Sequence, residues 1–212
     1  MVFSLDWNII LSVITSAAAV FAIFQTQKQI KLSNSHHLFD RKIDDYKFYI
    51  KLFNKFSATR EALLGDKEIE NNSLFYLDFL IEIPSLISLK NVIDNPLSES
   101  NRLRFYETCG VIEEKAFEIN VVFSKHSSEL MSEFCSQYKV LLFALFSEHL
   151  KNEKKIYEAS KELGYGNTEY DRVYILSNGT NVRDTVKKAE DVYQKIISGQ
   201  VNEKLIRQIK LK

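Results

Sequence analysis

Residues 8–24 read NIILSVITSAAAVFAIF, seventeen positions without a charge, and no other feature constrains the fold of this chain as strongly. A helix rising 1.5 Å per residue crosses a bilayer with about 20 mostly apolar residues. Residues 2–24 reach that length if Asp6 and Trp7 lie at an interface. Nine strongly apolar side chains between Ile9 and Phe24 contribute roughly −3 to −5 kcal/mol on the biological insertion scale, partly offset by Asn8, Ser12, Thr15 and Ser16. A helix buried in a soluble core would carry one apolar stripe, whereas this run is apolar on all sides. A secretion signal would open on basic residues, whereas MVFSLDW carries only Asp6 as a charge. Residues 1–24 are therefore expected to form an uncleaved transmembrane anchor.

The basic residues beyond the run set its orientation. Lys28, Lys31, Arg41 and Lys42 lie on the C-terminal side, and basic flanks stay in the cytoplasm. The expectation is a single-pass protein with its N-terminus outside and residues 25–212 forming a cytoplasmic helical domain. Lys28 and Lys31 sit nearest the lipid headgroups and fix the topology. In that compartment the Asn-x-Ser/Thr matches at Asn71 and Asn178 are not glycosylated. Cys109 and Cys135, in no metal-ligand spacing, are expected to be reduced core residues.

Two prolines and six glycines leave few obligatory breaks, so the domain is expected to be all-α, a bundle of about five helices. From Gln25 to Leu64 neither residue occurs, and Leu32, Phe39, Ile43, Tyr46, Ile50 and Phe53 recur at helical spacings as a heptad seam, the mark of a coiled coil. The same frame reaches back to Thr15, Ala18 and Ala22, small residues that allow close helix approach in a membrane. One continuous helix would then leave the bilayer and enter the domain. The seam either joins copies in parallel or packs into its own domain, and Phe48, Leu52 and Phe56 widen it beyond a two-helix stripe.

Further along, residues 74–93 read as a buried helix interrupted at Pro84, and Asn95-Pro96 as a turn. Ser98 caps a helix through about His126 carrying Leu103, Tyr106, Val111, Phe117, Val121 and Val122. Residues 128–163 form a long helix with Leu130, Met131, Phe134, Tyr138, Leu141, Leu142, Leu145 and Phe146 as core. Gly164–Asn167 ends it, EYDRVYIL comes next as an extended piece or short helix, and Ser177–Gly179 turns into a helix over 180–198. The final basic amphipathic segment, VNEKLIRQIKLK, returns to the bilayer, binds a partner or frays.

Twenty-eight basic residues balance twenty-eight acidic ones, so no net field attracts nucleic acid and none is expected as a partner. The four histidines make no HExxH or paired Glu-x-x-His motif, and His36-His37 alone would lie where mildly acid pH could alter docking on lipid. Gly164-Tyr165-Gly166 and Gly179-Thr180 lack the rest of a phosphate-binding fingerprint, and no G-x-S-x-G elbow occurs. No catalytic residue, metal or cofactor is expected.

The anchor leads into LFDRKIDDYKFYIKLF, residues 38–53, where Phe39, Asp40, Arg41, Lys42 and Tyr46 stand as Phe-Asp-Arg-basic and a later Tyr. This resembles a loose class of bacterial single-pass membrane proteins over the first quarter of the chain. The resemblance implies an inner-membrane-anchored helical architecture and no activity. The leading expectation is a non-enzymatic protein that binds membrane lipid through its anchor and a protein partner, or a homo-oligomer of itself, on the cytoplasmic face. The alternatives are a membrane-damaging effector of antiviral (antiphage) or toxin-antitoxin defence, with Thr15, Ala18 and Ala22 as its active face, and an enzyme with a noncontiguous site.

Overall fold

The computed structural model describes residues 7–162 and 181–210. Among them the chain is all-helical. Helix α1 covers Trp7–Gly65, α2 Ser73–Ile81, α3 Lys90–Ile93, α4 Glu99–Val122, α5 Lys125–Glu162, α6 Val182–Ser198 and α7 Val201–Lys210, with a 3₁₀ turn at Ile87–Leu89. Gly164–Asn167, EYDRVYIL, Ser177–Gly179 and the terminal Leu211-Lys212 lie outside the described residues.

The length of α1 reflects composition, since Gly65 is the first glycine and no proline precedes it. Contacts divide the chain into two units, Met1–Arg41 and Lys42–Lys212. The expected division after Phe24 marks where the apolar run stops, and the contact division falls later along the same helix. In the first unit, the most apolar 18-residue window has mean hydropathy 2.0 and none of it is buried. By length and composition this helix can cross a membrane.

In the second unit the rest of α1 buries Phe48, Tyr49, Leu52, Phe53, Phe56 and Leu63, one amphipathic face. These rings meet α5 and α6: Phe53 stacks on Tyr193 at 4.8 Å, and Phe56 stands edge-on to Phe134 at 5.8 Å. Helix α5 has no proline or glycine and supplies the middle of the core, with Met131, Phe134, Cys135, Tyr138, Leu141, Leu142, Leu145 and Phe146 buried as the sequence predicts and Leu130 only half-buried against them.

Proline interrupts the 74–93 element as expected, and α5 repairs the damage. Pro84 has no N–H to return to the carbonyl of Leu80, and α2 stops at Ile81. The buried Tyr138 hydroxyl donates to that carbonyl at 2.7 Å. At the end of α3, ahead of Asn95-Pro96, His149 Nε2 lies 2.8 Å from the carbonyl oxygen of Ile93. A carbonyl only accepts, so Nε2 carries the proton. Two side chains of one helix thus satisfy carbonyls exposed by two breaks.

Helix α4 differs from expectation in its inner face. The buried residues are Phe105, Cys109, Ile112, Ala116 and Ile119, whereas Leu103, Tyr106, Val111, Phe117 and Val121 are exposed and Val122 is half-buried. It also ends at Val122, and His126 belongs to the first turn of α5. Ser98 occupies the capping position, but its hydroxyl contacts that of Ser100 at 2.9 Å and caps no backbone N–H.

The terminal segment does not fray over its described part. Val201 and Leu205 of α7 are buried, Ile209 packs against the core, and the Gln208 amide bonds to Ser124 at 2.7 Å. Its apolar face is therefore occupied within its own unit. The α6–α7 turn needs Gly199 for space, because a Cβ there would lie 2.9 Å from the Lys195 carbonyl oxygen. Gln200 takes the positive φ, at 50°.

Candidate functional site

The first unit presents the most unusual surface. Eight large apolar side chains between Ile9 and Phe24 are each 53–66% exposed. Full burial of such a side chain stabilises by about 1.5–3 kcal/mol, so leaving eight of them this exposed to water forgoes on the order of 10 kcal/mol. That is comparable to the whole stability of a domain. The polar atoms in and just beyond the run are partly satisfied: Thr15 Oγ1 donates to the Leu11 carbonyl at 2.8 Å, and Thr26 Oγ1, two residues past the run, to that of Ala22 at 2.9 Å. Such back-bonding removes hydroxyl donors that would be costly in hydrocarbon.

At about 100° per residue, Thr15, Ala18 and Ala22 fall on one face of α1, roughly 60° wide. A shallow groove lined by Ser12, Ser16, Ala17, Val20, Phe21 and Phe24 occupies the other side. Small residues thus lie on two faces, of which the heptad frame marks only one. Lys28 and Lys31 are exposed beyond the run, as is Leu32, and Phe39 is half-buried.

The remaining seam residues lie in the compact unit. Phe53 is buried, Tyr46 and Ile50 pack against the core, and Ile43 is half-buried. Tyr49, one position off that frame, is fully buried and donates to Asn202 Oδ1 at 2.8 Å, joining α1 to α7. The domain end of the seam is therefore spent on intramolecular packing.

Titratable groups in the compact unit have structural surroundings. Burial pushes the Cys109 thiol up to about 12 and raises that of Cys135 further, so neither supplies a thiolate near neutral pH. Asp45, almost fully buried, meets Lys115 Nζ at 3.0 Å. Burial raises its carboxyl above the usual range, outweighing the lysine, and its Oδ2 has no partner. Lys115 also bonds Glu118, and these two acids raise its own pKa against the effect of desolvation. Elsewhere Arg60 Nη1 meets Glu190 Oε1 at 2.9 Å, and Arg183 bridges Glu70 while also donating to the Lys67 carbonyl. Among the described residues no group of three or more His, Cys, Asp or Glu side chains is placed to hold a metal. Sequence reasoning passed over Asp45 and Arg183, whose partners lie 70 and 113 residues away.

A shallow depression near the α2 start is lined by Asn71, Asn72, Leu74, Phe75, Asp78, Ile93 and Asp94. It gathers two aspartates, Asp78 and Asp94, with no histidine, cysteine, lysine or arginine among its lining residues. No family model, curated protein or solved structure matches this chain.

Proposed function

We propose that this chain is a single-pass protein of a bacterial inner membrane whose compact unit works on the cytoplasmic face, without catalysis, by binding a protein partner or further copies of itself. The observation that carries the reading is the exposure of apolar residues around the whole circumference of α1 between Ile9 and Phe24. A protein partner buries one face of such a helix, whereas lipid covers all of it. Exposed Lys28 and Lys31 directly after the run support an orientation with the compact unit inside the cell. The burial of both cysteines and the hydrogen bond that ties His149 to the Ile93 carbonyl support a binding role over a chemical one.

Cell fractionation tests this directly. The full chain should stay in the membrane pellet through alkaline carbonate, and a chain lacking residues 1–24 should be soluble. Added protease should reach the C-terminus in inverted vesicles and not in right-side-out ones. Release of the full chain by carbonate refutes the anchor, and the opposite protease pattern refutes the orientation. Collapse of the membrane potential on expression, abolished by Ala18→Leu with Ala22→Leu, would replace the binding role with that of a membrane-damaging effector.

A further inference from the structure

The stretch from Asp66 to Asp94 is acidic in a chain that is neutral overall. It carries Asp66, Glu68, Glu70, Asp78, Glu82 and Asp94 against only Lys67 and Lys90, whereas the whole chain balances twenty-eight residues of each sign. Three of these acids are engaged within their own unit: Asp66 accepts from Asn72 and Tyr76, Glu70 pairs with Arg183, and Glu82 with Lys55. Asp78 and Asp94, which line the depression at the start of α2, are left with surplus charge. Asp94, just past the end of α3, is exposed and has no ion pair among the described residues. Asp78 meets only Lys90 Nζ, through Oδ1 at 3.3 Å, and that lysine is shared with Glu82 at 3.8 Å. Asn71, Leu74, Phe75 and Asp78 recur at spacings of three and four along one side of α2 and the turn before it, and Asp94 comes to them from the end of α3.

Apart from the Asn71 amide, the polar groups left free in this depression are acceptors: the carboxylates of Asp78 and Asp94, and the side-chain oxygen of Asn72, whose nitrogen already donates to Asp66 Oδ2 at 2.8 Å. Beside them the Phe75 ring is 69% exposed and Leu74 41%. Acceptors of this kind call for a ligand that only donates, and the guanidinium of arginine has several N–H groups and no acceptor. Being planar, it also lies flat on an aromatic face such as Phe75, while its methylene stem covers apolar surface such as Leu74. We propose that this depression takes an arginine side chain of a protein partner, with the guanidinium between Asp78 and Asp94 and against the Phe75 ring. A metal ion is the poorer occupant, since only two carboxylates reach the depression and one of them already meets Lys90. The inference names a surface for the partner binding proposed above and rests on that reading.

Titration of the full chain in mild detergent with argininamide, followed by the side-chain amide resonances of Asn71 and Asn72 in nuclear magnetic resonance spectra, tests it. Those resonances should shift with a dissociation constant in the millimolar range, and citrullinamide, the neutral isostere, should leave them in place. A peptide with leucine ahead of its arginine should bind about threefold tighter than argininamide, because its apolar side chain meets Leu74. Asp78→Asn with Asp94→Asn should weaken argininamide about tenfold and Phe75→Leu about threefold, whereas Glu203→Gln on α7 should change nothing. Circular-dichroism melts unchanged by these substitutions separate a lost site from lost folding. Shifts that citrullinamide reproduces, or that calcium chloride abolishes at equal ionic strength, overturn the arginine site. Equal affinity for argininamide and the peptide assigns the depression to a free small cation, and tighter binding after Arg172→Gln assigns it to that arginine of the same chain; either overturns the partner. Absence of shifts with argininamide overturns the inference and leaves partner binding through another surface standing. Carbonate release of a chain that still binds the peptide would refute the anchor and leave the arginine site standing.

Discussion

Replacing Tyr138 with phenylalanine deletes one oxygen from the centre of the bundle and leaves its shape intact. The ring is fully buried, and its hydroxyl is the donor for the Leu80 carbonyl at the end of α2, in place of the N–H that Pro84 lacks. Without it the carbonyl stays buried without a partner, which costs about 1–3 kcal/mol. For a unit of this size each kcal/mol moves the melting temperature by about 2–4 °C, so the variant should melt roughly 2–12 °C below the parent. Thermal melts of the full chain in mild detergent, followed by circular dichroism, read the shift. Burial raises the pKa of this hydroxyl, so it stays a donor across the working pH range, and the shift should be equal at pH 6 and pH 8. Tyr106→Phe, whose ring is partly exposed, is the control and should move the midpoint by less than about 1 °C, the usual scale for a surface change. A Tyr138→Phe chain that melts with the parent would refute the argument that α5 compensates for the break at Pro84.

Three further outcomes rest on the same geometry. His149→Leu removes the donor for the Ile93 carbonyl and should cost about 1–3 kcal/mol by chemical denaturation; an unchanged midpoint would show that water takes its place. Arg183→Ala frees the start of α6 from Glu70, and since both side chains are well exposed to water the loss of stability should be small, well below that of His149→Leu. Arg183 holds the Glu70 pKa below its ordinary value of 4.5, so the contribution is present above that value and fades as pH falls below it. A loss that persists undiminished at pH 3 would show that packing, not charge, carries it.

Legibility from sequence tracked how one-sided each helix is. In α5 and α6 the apolar residues fall on one face, and that face, with Phe134 and Tyr138 on one and Val186, Ala189 and Ile196 on the other, is buried. In α4 two apolar rows oppose each other, so spacing alone could not say which turns inward, and the row with Phe117 was as plausible a core as the row with Phe105. A glycine at position 110 was the available signal, since it interrupts one row and leaves the other full. The seam through Phe39 and Ile43 posed the same ambiguity, and Tyr49, off its frame, proved the better-buried tyrosine. Asp45 was unreadable for another reason. A polar residue inside an apolar stripe resembles a solvated edge until the fold brings Lys115 to it.

Asp45 also gives the sharpest test of how the compact unit holds charge. Its folded pKa is raised above the ordinary 3.8, chiefly by burial, so the folded state holds the proton more tightly than the unfolded chain. Between 3.8 and the raised value the folded form binds more protons, and stability therefore falls as pH rises through that window. Asp45→Asn keeps the size, removes the ionisation and leaves Lys115 bonded to Glu118. The variant should gain stability relative to the parent on going from acid to neutral pH, with the change complete once the parent's carboxyl is ionised. Urea midpoints of both chains at pH 4 and pH 7 decide it. If the parent gains on the variant as pH rises, the Lys115 ion pair outweighs desolvation, and α1 is tied to α4 by attraction between charges instead of carrying a buried carboxyl at a cost.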